Sequence, residues 1–255
     1  MIITSEAIVL HSRKYSDSSN ILTIYTPDRG KVSVIAKGSR KPKSKFGSAV
    51  MPLGIISATY YYKPGRDLQT LSNAETIAPL RVVGESFDHL TTGLAIAESV
   101  NATTHADEQN PELYELLKKS LIALNSAKQN TYAYFVWFTL QLADVTGFML
   151  DLHKCAQTQL TIVAEPTPEY IFSFADGSPY SCNDATVQSG YRLTGEALGL
   201  LQTITQTKQA DLENVPVSEQ LRNEIHHFFT NYFSFHLERR FVYRTQKMVL
   251  DNFAP

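Results

Sequence analysis

With 255 residues, 43% of them hydrophobic and 19% charged, the chain is long enough for one large domain or two small ones around a real core. Its net charge of −2 points by itself to no polyanion partner, but the charge is unevenly placed: residues 1–81 carry twelve Lys+Arg against five Asp+Glu, and the remainder eleven against twenty. That pattern predicts a cationic binding module on an acidic body.

Two cysteines, Cys155 and Cys182, do not suggest a disulfide scaffold and fit a reducing cytoplasm. The start, Met1-Ile-Ile-Thr-Ser-Glu6, lacks the basic and apolar regions of a signal peptide. No stretch approaches the roughly 18 consecutive apolar residues of a membrane span.

Residues 5–14 alternate as a strand, with Ala7, Val9 and His11 on one face and Ile8, Leu10 and Ser12 on the other. Arg13 and Lys14 stand at its exit, before a turn at Ser16–Asn20. A second strand runs from Ile21 to Thr26. It enters a hairpin in which Pro27 presets φ, Asp28 can bond the backbone and Gly30 accepts positive φ. In the third strand, Lys31 to Lys37, residues Val32, Val34 and Ala36 share one face, and Lys31 and Lys37 lie on the other.

The stretch that follows holds Arg40, Lys41, Lys43 and Lys45 with no acid among them, and Gly38, Ser39, Pro42 and Gly47 make it an exposed loop. Met51–Tyr62 is a fourth strand. Lys63-Pro-Gly-Arg66 is a tight turn with Gly65 at the positive-φ position, and Leu68–Glu75 is a fifth strand. Five strands in about 75 residues predict a small closed barrel of the OB type, an architecture that binds oligonucleotides along one face and its flanking loops.

Pro79 marks the change to helical periodicity, giving boundaries of 1–79 for the barrel and 80–255 for an α-helical domain, an α+β chain overall. Phe87, Leu90, Leu94, Ile96 and Ala97 follow helical spacing, and Asn110-Pro-Glu112 reads as the N-cap and first turn of a helix reaching Ala127. Residues 131–147 form a strongly apolar helix stopped by Gly147. Prolines and glycines break the rhythm over residues 151–190, a small irregular lobe. Helix returns at Leu193–Leu198 and at 218–240, the last capped by Ser218, with Leu221, Ile225, Phe228, Phe229, Tyr232, Phe233 and Phe235 as its apolar face.

For nucleic-acid contact the candidates are Arg13, Lys14, Lys31, Lys37, Arg40, Lys41, Lys43 and Lys45, acting by phosphate neutralisation, which positions a strand without reading its sequence. Six such contacts on a single strand give a log–log salt slope of about −4. Tyr60, Tyr61, Tyr62 and Phe46 are candidate stacking platforms, although barrel packing is the commoner role of such rings. The histidines form no HExxH pair, and the chain has neither a Walker loop nor a GxSxG elbow, so no catalytic residue is expected. His226 and His227, adjacent on a helix, face different directions and do not suit one metal.

The run Ala7-Ile-Val-Leu-His-Ser-Arg-Lys-Tyr-Ser-Asp-Ser-Ser-Asn-Ile-Leu-Thr-Ile-Tyr-Thr-Pro-Asp-Arg-Gly-Lys31, followed by Val34-Ile-Ala-Lys-Gly-Ser-Arg-Lys41, Met51-Pro-Leu-Gly54 and the late Asn231-Tyr-Phe-Ser-Phe-His-Leu-Glu238, resembles the bacterial DNA repair protein RecO family. The resemblance implies an N-terminal OB-fold, a helical domain and a small zinc-finger-like insert. It also implies binding of single- and double-stranded DNA, annealing of complementary strands, and cooperation with RecR to load RecA onto strands coated by single-stranded DNA-binding protein.

The chain departs from the family's two Cys-x-x-Cys pairs, because Thr158 and Ala185 stand where second thiolates would be. Cys155 and Cys182, even with His153, fall short of the four ligands of a closed zinc site. The lobe is therefore expected to be degenerate and held by an apolar cluster such as Ile171, Phe172 and Phe174, without metal or other cofactor. Arg239, Arg240 and Arg244, beside aromatics, are candidates to receive the acidic, phenylalanine-ending tail of single-stranded DNA-binding protein. The residues by themselves leave two classes open: a non-enzymatic DNA-binding mediator, or a protein–protein scaffold or RNA-binding OB protein.

Overall fold

The computed structural model describes residues 1–148, 150–167, 169–180 and 190–245. The chain forms two compact units, Met1–Ser126 and Ala127–Pro255. The strands of the barrel end near the predicted boundary at residue 79, but the compact unit that contains them runs on through three helices.

In the first unit five strands close into a barrel in the order β1-β2-β3-β5-β4: β1 (Ile2–Ser16), β2 (Ser19–Thr26), β3 (Gly30–Ala36), β4 (Ile55–Tyr61) and β5 (Leu68–Ala78). The parallel pairing of Ser33, Val34 and Ile35 with Leu68, Gln69 and Thr70 closes it. This is the OB-fold. β1 exceeds its predicted span because it serves two partners, pairing with β4 from Ile2 to Ile8 and with β2 from Ile8 to Ser16. β4 begins later than predicted. Gly47–Val50 is a 3-10 turn, and Met51–Gly54 folds back so that Leu53 N–H donates to the Val9 carbonyl (2.7 Å).

Inward-facing side chains fill the barrel as the pleat requires, among them Val9, Leu22, Ile24, Val34, Ala58 and Leu71. Ile8 and Leu10, on the outer face of β1, are also buried (0% and 4% exposed). The reason is a second layer of packing: α2 (Phe87–Thr103) lies on β1 and α3 (Pro111–Ser126) on β2, after a single turn α1 (Arg81–Glu85). Asn110 Oδ1 accepts from Leu113 N–H (2.9 Å), the N-cap that the sequence predicts.

The β2–β3 hairpin works differently from expectation. The Thr26 hydroxyl organises it, donating to the Gly30 carbonyl and accepting from Arg29 N–H (both 3.2 Å), whereas the Asp28 carboxylate accepts from Ser5 Oγ (3.3 Å). Gly30 is required twice over. Its φ is +56°, and a Cβ there would stand 1.9 Å from the Glu108 carbonyl oxygen.

The second unit is built on α4 (Thr131–Val145), apolar almost all round, with α5 (Gly195–Gln206) and α6 (Glu219–His236). Thr194 Oγ1 accepts from Ala197 N–H (3.2 Å) and Ser218 Oγ from Leu221 N–H (3.3 Å), so each of α5 and α6 starts on a side-chain cap. α6 stops earlier than predicted, at His236, and Glu238 takes φ +50° just beyond.

The lobe is more regular than its composition suggests. It carries a three-stranded antiparallel sheet, β7-β6-β8, formed by Tyr170–Ser173 (β6), Ser178–Pro179 (β7) and Tyr191–Leu193 (β8). Phe172 meets Phe228 edge-on at 5.0 Å, and Phe174 lies within 6 Å of Phe228, Tyr232 and Phe235, so a cluster of rings fastens the lobe to α6.

Candidate nucleic-acid interface

Strand register gathers the cations. Arg13 pairs with Ile21 and Lys14 with Asn20, and Asn20 pairs in turn with Ala36, so that Lys37 leaves β3 beside the exit of β1. The β3–β4 loop is then tied to the β1–β2 turn. The Arg40 guanidinium donates to the Ser16 carbonyl (2.8 Å), Arg40 N–H donates to the Ser18 carbonyl (3.1 Å), and Asn20 N–H donates to Ser39 Oγ (3.1 Å).

Inside the loop, Lys41 N–H bonds the Gly38 carbonyl and Ser44 N–H the Lys41 carbonyl. Phe46, Ala49 and Val50 anchor it into the barrel core. Lys45 donates to the Ser72 carbonyl on β5 and sits 5.3 Å from the centre of the Phe46 ring. Arg13, Lys14, Lys37, Arg40, Lys41, Lys43 and Lys45 are exposed on this one rim, and within segments 13–20 and 37–47 the single acid is Asp17.

Lys31 is the exception among the predicted residues. It is the second residue of β3, and Lys37 follows the strand's end, roughly 20 Å away at strand rise. Its Nζ donates to the carbonyls of Asn101 (2.7 Å) and Thr104 (2.6 Å), where α2 ends. A cation on unpaired C-terminal carbonyls also meets the negative end of the helix dipole. Lys31 is thus a helix-end clamp, and alternation alone, which put it on the same strand face as Lys37, could not separate the two roles.

Of the predicted stacking candidates, Tyr60, Tyr62 and Phe46 are core residues at 0%, 8% and 3% exposure. Burial pushes the Tyr60 phenol above its usual range, as befits a neutral interior group. The Tyr62 ring carries the Arg29 guanidinium 3.9 Å above its centre. Tyr61 faces outward, but it pairs with Ile2 at the far end of β1. Sequence reasoning missed Tyr15, which is 60% exposed on the cationic rim. Its position directly after Arg13 and Lys14 was the available signal.

In the second unit Arg239, Arg240 and Arg244 are exposed, near Phe235 and Val242, which are about half exposed. The segment folds back on α6: Arg239 N–H donates to the Ser234 carbonyl (3.3 Å) and Phe241 N–H to Ser234 Oγ (3.0 Å).

Cys155 is 1% exposed, its N–H donating to the Leu160 carbonyl (2.9 Å), while His153 Nε2 bonds Thr205 Oγ1 (3.0 Å) and Thr158 lies on the surface. Cys182 and Ala185 lie outside the described residues. Among the described residues no three His, Cys, Asp or Glu side chains gather closely enough to hold a metal ion, and no helix is long and apolar enough to cross a membrane. His226 is buried against Phe135 and Tyr243, and its neighbour His227 is exposed.

A five-stranded OB-fold with a cationic loop locked across one rim, followed by a helical region with a small β lobe, defines a class of barrel-plus-helix proteins. The family profile described as "Recombination protein O N terminal" matches residues 1–80, and "Recombination protein O C terminal" matches residues 84–244. The chain belongs to the recombination protein O family. It is 29% identical over 251 residues to the protein named DNA repair protein RecO of Salinibacter ruber, covering 97% of this chain and 93% of the relative. It is 27% identical over 253 residues to that of Chloroherpeton thalassium (97% and 98%), and 27% over 250 residues to that of Caldanaerobacter subterraneus (98% and 99%).

Proposed function

We propose that this protein is a non-enzymatic recombination mediator in DNA repair, one that binds single- and double-stranded DNA through the cationic rim of its barrel and anneals complementary strands. The convergence of Arg13, Lys14, Lys37, Arg40, Lys41, Lys43 and Lys45 on one rim supports this reading. Annealing requires no covalent chemistry. It requires that the repulsion between two polyanions be screened while they are held close, and a dense cationic surface does both by displacing condensed counterions.

Membership of the recombination protein O family supports the further part of this proposal, that the protein works with RecR to help load RecA onto strands coated by single-stranded DNA-binding protein, in the reducing cytoplasm that its sparse cysteines fit. The arginine segment after α6 is the proposed receptor for that partner's acidic, aromatic-ended tail. Arg239, Arg240 and Arg244 supply cations for carboxylates, and Phe235 and Val242 supply apolar surface.

The test is annealing of complementary oligonucleotides by Arg40→Glu/Lys41→Glu/Lys43→Glu. Annealing is expected to vanish with the far-ultraviolet spectrum unchanged. Arg40 also holds the β1–β2 turn, so Lys41→Glu/Lys43→Glu is the cleaner pair, and it is expected to weaken annealing without loss of thermal stability. Unchanged annealing by the triple variant would remove this rim as the site.

A further inference from the structure

A β-bulge interrupts the β1–β2 ladder between Lys14 and Ser16, and Tyr15 is the extra residue. Bulges re-aim a side chain at the cost of local pairing. Here the bulge leaves a large ring 60% exposed at the strand end. Arg13 and Lys14 precede the ring, and the Arg40 guanidinium is bonded to the carbonyl of the next residue, Ser16. The other aromatic candidates near the barrel are closed in the core or, in the case of Tyr61, at the far end of β1.

An exposed ring among backbone-neutralising cations is the arrangement that holds single-stranded nucleic acid: the cations track the phosphates and the ring takes the face of a base. An intact duplex keeps its base faces stacked internally, so such a ring discriminates between the two forms. We propose that Tyr15 is a stacking platform for an unpaired nucleobase and gives the cationic rim its preference for single strands. This rests on the DNA-binding reading above.

The experiment compares wild type, Tyr15→Ala and Tyr15→Phe by fluorescence anisotropy at one salt concentration. The probes are an oligothymidine, a strand of equal length lacking bases, and a duplex. Tyr15→Ala is expected to bind oligothymidine about 5- to 150-fold more weakly, the affinity equivalent of one base–aromatic stack. Its affinity for the base-free strand and the duplex stays at the wild-type value, and Tyr15→Phe, which keeps the ring, stays near wild type on all three.

An equal loss on every probe, no loss on oligothymidine, or a Tyr15→Phe variant as weak as Tyr15→Ala would overturn the platform. Tyr15→Trp gives an independent reading: its added emission is quenched by oligothymidine and unaffected by the base-free strand if the ring stacks. Wild-type protein that binds none of the probes would instead overturn the DNA-binding reading itself.

Discussion

Lys31 and Lys37 bracket one strand, and their side chains have different work. Lys31 donates to two carbonyls at the end of α2, about seventy positions later in the chain, whereas Lys37 is exposed on the rim. Lys31→Met leaves those carbonyls without their cation. It should lower unfolding free energy by about 1–2 kcal/mol while leaving the salt slope of DNA binding at the wild-type value. Urea denaturation and a salt titration on the same variant check both halves, and a shallower slope would return Lys31 to the interface.

Glu6 makes a second long-range tie, accepting from Tyr114 Oη (3.1 Å) and from Lys118 Nζ on α3. The Lys118 hydrogen bond holds its carboxyl below the usual value of 4.5. A depressed folded-state pKa gives stability that is present above the unfolded pKa and lost as pH falls through the folded one. Glu6→Gln should therefore cost stability at pH 7, under about 1 kcal/mol because the pair is partly solvated. The two proteins should converge as pH drops below 4.5, and urea midpoints measured from pH 7 to 3 would show it. Neither tie was legible in the sequence, because a charge pattern records which residues are cationic and not which carbonyl or carboxylate the fold brings to them.

At the scale of elements, alternation and turn chemistry were enough to recognise five strands and the barrel, and Asn110 and Ser218 marked their helices correctly. Boundaries slipped where tertiary pairing set them: β1 is extended by having two partners, and β4 is shortened by the 3-10 turn before it. The bulge that exposes Tyr15 was invisible, since it depends on how many residues β2 offers opposite β1.

The lobe shows what residue types alone do convey. Phe172 and Phe174 were recognisable as its apolar anchor, although their partners on α6 were not. Phe172 is fully buried, so Phe172→Ala should cost about 3–5 kcal/mol in the second unit. A chelator should leave the wild-type thermal midpoint unchanged. Stoichiometric zinc in the purified protein, or a chelator-sensitive melt, would contradict a lobe held by rings.

On the scale of the whole molecule, charge is concentrated rather than partitioned between compact units. Met1–Ser126 carries fourteen Lys+Arg against twelve Asp+Glu, a net of only +2, because the acids of residues 82–126 offset the barrel's excess. The positive field is therefore local to the rim segments 13–20 and 37–47, which hold seven exposed cations and one acid, Asp17. Association with DNA should be strongly salt-dependent even though the protein as a whole is slightly acidic, and pI is a poor guide to its partners.

Equal-sequence DNA and RNA strands separate a DNA mediator from an RNA-binding OB protein, because the 2′-hydroxyl is the distinguishing group. The most direct test of the central claim is equilibrium binding of a single-stranded oligonucleotide across a salt titration. Neutralisation of six phosphates by the rim predicts a log–log slope of about −4. Binding that is absent in dilute buffer, or present with a slope near zero, would contradict it.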